Sequence, residues 1–140
     1  MNKRKIVYLV VLLVAGTMVQ LDRSFAEGDV ASGEKNFKKC ALCHSLEEGK
    51  KKIGPSLHGL IGRSAGTAAG FKFSADYVEA GKTNLIWSSE TLFGYLEDPK
   101  KYLATILKKK KSDVKSKMPT KYKDQKFRKD VIAYLESLKK

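Results

Sequence analysis

Cys40-Ala41-Leu42-Cys43-His44 places two thiols two residues apart and an imidazole beside the second. Thiols at this spacing can add across the two vinyl groups of one haem, and the adjacent histidine is then held where it can ligate the iron. A thioredoxin-like thiol pair shares the spacing but wants a βαβ pattern around it, and none is visible here. A second axial ligand must come from this chain or from water, or the position stays open. Beyond residue 26 the chain has one methionine, Met118, and one further histidine, His58. His58 stands 14 residues after His44, too near to cross easily to the other haem face. A lone methionine is more often core filler than ligand. Met118, however, lies in the polar run Ser116-Lys117-Met118-Pro119, which offers no helix face to pack. Met118 is therefore the expected ligand. His/Met ligation is the pattern of electron-carrying haems; it raises the reduction potential and closes the iron to substrates.

The segment before this site reads as a leader. Lys3, Arg4 and Lys5 precede an apolar stretch over residues 6–19, and Ser24-Phe25-Ala26 offers small residues at a cleavage position. This is the pattern of a secretory signal over residues 1–26. A spanning helix wants about 20 apolar residues. An uncleaved, membrane-anchored form is the alternative. Residues 27–140 then make one small domain. Both cysteines lie in the one motif, so no structural disulfide is available, and a covalent cofactor in the core would supply that support. The formal net charge is +13 and most of it lies beyond residue 26. In the cytosol such charge would suggest nucleic acid. On an exported chain it suggests acidic protein surfaces or anionic lipid. The lysine run 108–111 taken alone is an ordinary solvated face.

The elements that must position these groups are helical. Asp29 reads as an N-cap, with Val30, Gly33 and Phe37 on one face of a helix running into Cys40. Residues 41–74 hold six glycines and no sustained apolar period, so they read as a long loop wrapped on the cofactor. Ser88 caps a helix with Leu92, Phe93, Tyr95 and Leu96 inward. Asp98-Pro99 ends it and starts another, with Tyr102, Leu103, Ile106 and Leu107 inward. Residues 115–122 are irregular. Asp124 caps a last helix, in which Phe127, Val131, Tyr134, Leu135 and Leu138 form one stripe. No segment alternates as a strand. The fold class is all-α, with about five short helices.

Taken in order, Gly28-Asp29-Val30, Gly33, Phe37, the C-x-x-C-H run, Gly54-Pro55-x-Leu57-x-Gly59-Leu60-x-Gly62-Arg63, Trp87, Tyr95-Leu96-x-x-Pro99-x-x-Tyr102, Lys117-Met118 and Ala133-Tyr134-Leu135 resemble a class I cytochrome c along the whole of residues 27–140. The residues between Tyr102 and Met118, and a short insertion before Trp87, resemble the longer soluble cytochromes c of bacteria. The resemblance implies one covalent haem c on Cys40 and Cys43, with His44 and Met118 on the iron. It implies that the Pro55 carbonyl accepts the other ring N–H of His44. Arg63 and Trp87 would meet a buried propionate, and Tyr95 would reach toward the Met118 sulfur. Gly33 and Phe37 would meet Val131 and Tyr134 where the first and last helices cross. Tyr102 reads as plain packing. Two positions depart from the family: Phe73 stands where a propionate-binding tyrosine is common, and Thr120 where an aromatic often shields the haem edge.

The function implied is a diffusible one-electron carrier in a periplasm. Its donor would be a membrane cytochrome bc complex and its acceptor a terminal oxidase, cytochrome c oxidase, or a photosynthetic reaction centre. Docking would use lysines around the haem edge: Lys115, Lys117, Lys121 and Lys123 bracketing Met118, and Lys38 and Lys39 beside the attachment site. A small haem peroxidase or gas-binding protein would need an open iron, against which Met118 argues. A nucleic-acid module is disfavoured by the leader.

Overall fold

The computed structural model describes residues 28–139, so the leader expected over residues 1–26 lies outside them. Among the described residues there are five α-helices: α1 (Val30–Ala41), α2 (Ala75–Lys82), α3 (Ser89–Glu97), α4 (Pro99–Leu107) and α5 (Gln125–Ser137). The only β pairing among them is an isolated antiparallel bridge between Ser64 and Ile86. No helix among the described residues is long and apolar enough to cross a membrane.

The expected caps form. Asp29 accepts the Ser32 N–H at 2.6 Å, Asp98 the Lys101 N–H at 3.0 Å, and Asp124 the Lys126 and Phe127 N–H groups. Ser88 and Thr91 exchange hydrogen bonds in a capping box at the start of α3. Each such bond satisfies an amide the helix cannot satisfy itself.

α1 and α5 cross at the ends of the described chain. A Cβ on Gly33 would lie 2.0 Å from the Asp130 carbonyl oxygen, so only glycine permits the approach. Phe37 then meets Tyr134, ring centroids 5.5 Å apart. Val30, expected on this face, is 45% exposed. The first turn meets α5 through the Asp29 amide, 2.9 Å from Asp130 Oδ1, and not through side chains. Leu138, expected inward, is the C-cap of α5 and also lies out. Leu103 and Ala104 are the buried residues of α4's apolar face, with Tyr102, Ile106 and Leu107 packed at its margin.

α2 was not expected. It buries Asp76, Tyr77 and Ala80 and lies between the long loop and α3. Residues 42–74 otherwise lack helix, as expected, and 108–124 contain one 3₁₀ turn, Lys111–Asp113.

Candidate functional site

The helices and the long loop enclose a cavity of about 320 Å³ whose walls are mostly apolar. Cys40, Cys43 and His44 contribute one part of the lining, from the end of α1 and the turn after it. Gly54 and Pro55 come from the long loop. Trp87, Leu92, Tyr95 and Leu96 come from α3 and its approach, and Lys117, Met118, Pro119 and Thr120 from the irregular segment before α5. All eight sequence-nominated site residues, Cys40, Cys43, His44, Pro55, Arg63, Trp87, Tyr95 and Met118, line this one space. His58 is exposed and does not line it.

The motif's local geometry is set by α1 ending inside it. The Cys43 and His44 N–H groups both bond the Cys40 carbonyl, folding the five residues into a tight turn. Cys40 is buried and Cys43 partly so. Burial raises the Cys40 pKa, although the nearby Tyr122 hydroxyl works against that. His44 Nδ1 lies 2.8 Å from the Pro55 carbonyl oxygen. With Nδ1 donating there, Nε2 is left as the acceptor, the form in which an imidazole binds metal. Burial lowers the His44 pKa, the Pro55 bond opposing it, which favours the same neutral ring. A Cβ on Gly54 would meet His44 Cε1 at 2.5 Å, so a glycine there lets the loop lie flat against the imidazole.

The Tyr95 hydroxyl donates to Met118 Sδ at 3.6 Å. Tyr95 in turn packs edge-on against Trp87, centroids 4.8 Å apart, and both are buried. Tyr102 packs edge-on to Tyr95, ring centroids 6.1 Å apart, lies against Gly94 and does not line the cavity, a packing role as expected. Arg63 donates to the carbonyls of His58 at 2.8 Å and Ser56 at 3.0 Å. It therefore braces the loop that carries Pro55, besides bordering the cavity. Phe73 lines the cavity without a hydroxyl, stacked edge-on with Phe71.

Tyr122 and Tyr77 also line the cavity, and the sequence pattern did not single them out. Tyr122 stacks on Phe127, centroids 4.5 Å apart, and burial pushes its hydroxyl pKa up to about 12. An aromatic in a lysine-rich irregular segment was the available signal, since such a ring must find cover somewhere. The lysines differ from expectation. Lys117 and Lys39 border the cavity, Lys117 over Phe71 and Lys39 over Phe127. Lys121 instead pairs with Asp98 at 3.1 Å and Lys123 with Glu97 at 3.4 Å, because α3 ends in those two acids beside them.

The donor set suits a haem. A neutral imidazole and a thioether, the pair of ligands an electron-carrying haem iron takes, face an apolar space beside two thiols spaced to attach the macrocycle. Among the described residues no group of three or more His, Cys, Asp or Glu could hold an ion on protein donors alone.

The chain is similar in sequence and fold to proteins already known. Residues 30–139 match the family model described as cytochrome c. A cytochrome c2 of Rhodopseudomonas palustris is 43% identical over 115 residues, covering 79% of this chain and 99% of the relative. A cytochrome c2 iso-2 of Rhodospirillum centenum is also 43% identical over 115 residues, covering 79% and 95%. The solved structure of cytochrome c2 from Rhodospirillum centenum superposes with a TM-score of 0.75 at 41% identity, covering 79% of this chain and 98% of that one. The ferricytochrome c2 of Rhodopseudomonas palustris gives 0.72 at 38% identity, covering 79% and 98%.

Proposed function

The chain belongs to the cytochrome c family, and from that premise we infer that it is an electron carrier with one haem c bound through Cys40 and Cys43 and ligated by His44 and Met118. The observation that carries this reading is the convergence of both thiols, a carbonyl-oriented imidazole and a hydroxyl-bonded thioether on one apolar cavity. The family's members carry electrons and catalyse no substrate reaction.

The haem, when bound, supplies an iron that changes oxidation state by one electron. Every other part of the task belongs to the chain. Pro55 fixes the tautomer and plane of His44. Tyr95 orients the Met118 sulfur and draws electron density from it. Trp87, Leu92 and Leu96 exclude water, which lowers the local dielectric and limits solvent rearrangement when charge changes. Arg63 and the Trp87 indole N–H are the groups available to a propionate. The proposed donor is a membrane cytochrome bc complex, and the proposed acceptor is a terminal oxidase or a photosynthetic reaction centre. The proposed compartment is the periplasm, reached by a leader over residues 1–26 that is cleaved; retention of that leader as an anchor is the alternative outcome.

A reduced-minus-oxidised difference spectrum of the exported protein, with N-terminal sequencing and acid–acetone extraction, tests the haem, its attachment and the leader. A c-type spectrum, haem that stays on the polypeptide, and a mature start near residue 27 are expected. Haem that extracts freely overturns the attachment, and an intact leader overturns the soluble form.

A further inference from the structure

α2 bears on the Met118 segment at three points. Asp76 is only 7% exposed. Its Oδ2 accepts the Lys115 N–H at 2.8 Å, and its Oδ1 accepts Lys109 Nζ at 3.0 Å. Ser74 is the N-cap of α2 but makes no side-chain cap bond. Its hydroxyl donates instead to the Lys115 carbonyl at 2.7 Å. Both backbone groups of Lys115 are thus held by the start of one helix. Tyr77, the next residue of that helix, brings its hydroxyl to Ser116. Ser116 Oγ in turn lies 3.3 Å from the Met118 nitrogen and 3.2 Å from its carbonyl oxygen.

The far end of the segment is fixed separately. The Tyr122 N–H bonds the Leu96 carbonyl at 2.8 Å. The buried Arg128 guanidinium donates to the Tyr122 carbonyl at 2.7 Å and the Lys123 carbonyl at 3.1 Å. Residues 119–121, between the two anchors, are exposed. A thioether carried by such a segment reaches the cavity only while both anchors hold. Of the bonds at the Lys115 anchor, those to Asp76 are charge-assisted and the strongest. The Lys115 amide and then Lys109 keep the Asp76 carboxyl below the usual carboxylate range, so it is ionised at neutral pH. Glu79 holds Lys109 from the other side.

We propose that Asp76 is the positioning residue for Met118: by holding the Lys115 amide it keeps the thioether docked at the cavity. The proposal rests on Met118 being the iron ligand. An added ligand can reach the iron only from the undocked state, so its apparent affinity follows the undocked fraction while that fraction is small.

The test is imidazole binding to the ferric holoprotein, read by spectrum, with amide hydrogen exchange alongside. Asp76→Ala should raise the apparent imidazole affinity about tenfold, with Asp76→Asn, which can still accept the Lys115 N–H, rising less. Ser74→Ala, the milder change if Asp76→Ala gives no holoprotein, should raise it about threefold. Ser89→Ala removes a bond to Glu136 between α3 and α5. It should cost stability yet leave imidazole affinity within about twofold of the parent. Exchange at the Lys115 amide should quicken in the same order. In a Met118→Ala background Asp76→Ala should add nothing. Overturning results are an Asp76→Ala effect no larger than that of Ser89→Ala, or one that persists without Met118. If Met118→Ala alone leaves imidazole affinity unchanged, the ligand assignment fails independently of Asp76, and the proposal falls with it.

Discussion

The Tyr95 hydroxyl points at the Met118 sulfur and donates to it across 3.6 Å. A hydrogen bond to a ligand sulfur draws electron density from the metal and so favours the reduced state. Tyr95→Phe removes the donor and keeps the ring that packs on Trp87. The reduction potential should fall by roughly 20–60 mV, the one-electron equivalent of about 0.5–1.5 kcal/mol. Protein-film voltammetry of the two forms measures it; an unchanged potential means that the bond does not persist in the holoprotein.

Met118→Ala and His58→Ala separate the two candidate ligands. Met118 lines the cavity, whereas His58 is exposed outside it. Met118→Ala should abolish the weak sulfur-to-iron charge-transfer band of the ferric protein, lower the potential and let peroxide react. His58→Ala should change none of these. A band lost in the His58 variant reverses the assignment.

Lys39 and Lys117 border the cavity, while Lys121 and Lys123 pair with Asp98 and Glu97. Paired charges present a weaker field to a partner than unpaired ones at the rim. Lys39→Glu with Lys117→Glu should therefore slow electron transfer to an acidic partner and flatten its salt dependence. Lys139→Glu, at the far end of the chain, should do little. Screening acts over roughly 8 Å at physiological ionic strength, so bimolecular rates measured from low to high salt resolve the two cases. Equal slopes would show that net charge alone governs encounter.

Asp98 is 6% exposed, caps α4 and accepts from Lys111 and Lys121. Burial works to raise its pKa, but these donors together hold it well below the usual carboxylate range. A depressed native pKa contributes stability that is fully present above the unfolded value near 4 and is lost as pH falls through the native one. Asp98→Ala should cost about 1–2 kcal/mol at pH 7, by loss of the cap and the charge. The gap from the parent should begin to narrow below about pH 4, where the unfolded carboxylate takes up its proton, and go on narrowing toward the lower native pKa. Urea titrations at pH 7 and at acid pH check the sign.

Much of this was legible because it is local. The thiols and His44 lie within one turn, and the caps Asp29, Ser88, Asp98 and Asp124 act on amides two or three residues away. What was not legible is what the sequence cannot bring together by itself. α2 escaped because its buried side includes a carboxylate, Asp76, whose partner is the Lys115 amide 39 residues on. Its cap residue also spends its hydroxyl elsewhere, so neither the apolar stripe nor the cap signal was there to read. Lys121 and Lys123 looked like free rim charges beside Met118 until the end of α3 was seen to present Asp98 and Glu97 to them.

The bond from the Asp29 amide to Asp130 joins residues 101 apart, so the α1–α5 joint closes nearly the whole described chain into one ring. Closing so long a loop costs chain entropy that must be met before its contacts reward it. The C-x-x-C-H turn needs no such closure. The haem proposed for it would meet Leu92 and Leu96 of α3 and Val131 and Leu135 of α5, which line the same cavity. The two joints thus differ in kind: the C-x-x-C-H turn is made within a single short stretch, whereas the α1–α5 joint ties together residues 101 apart.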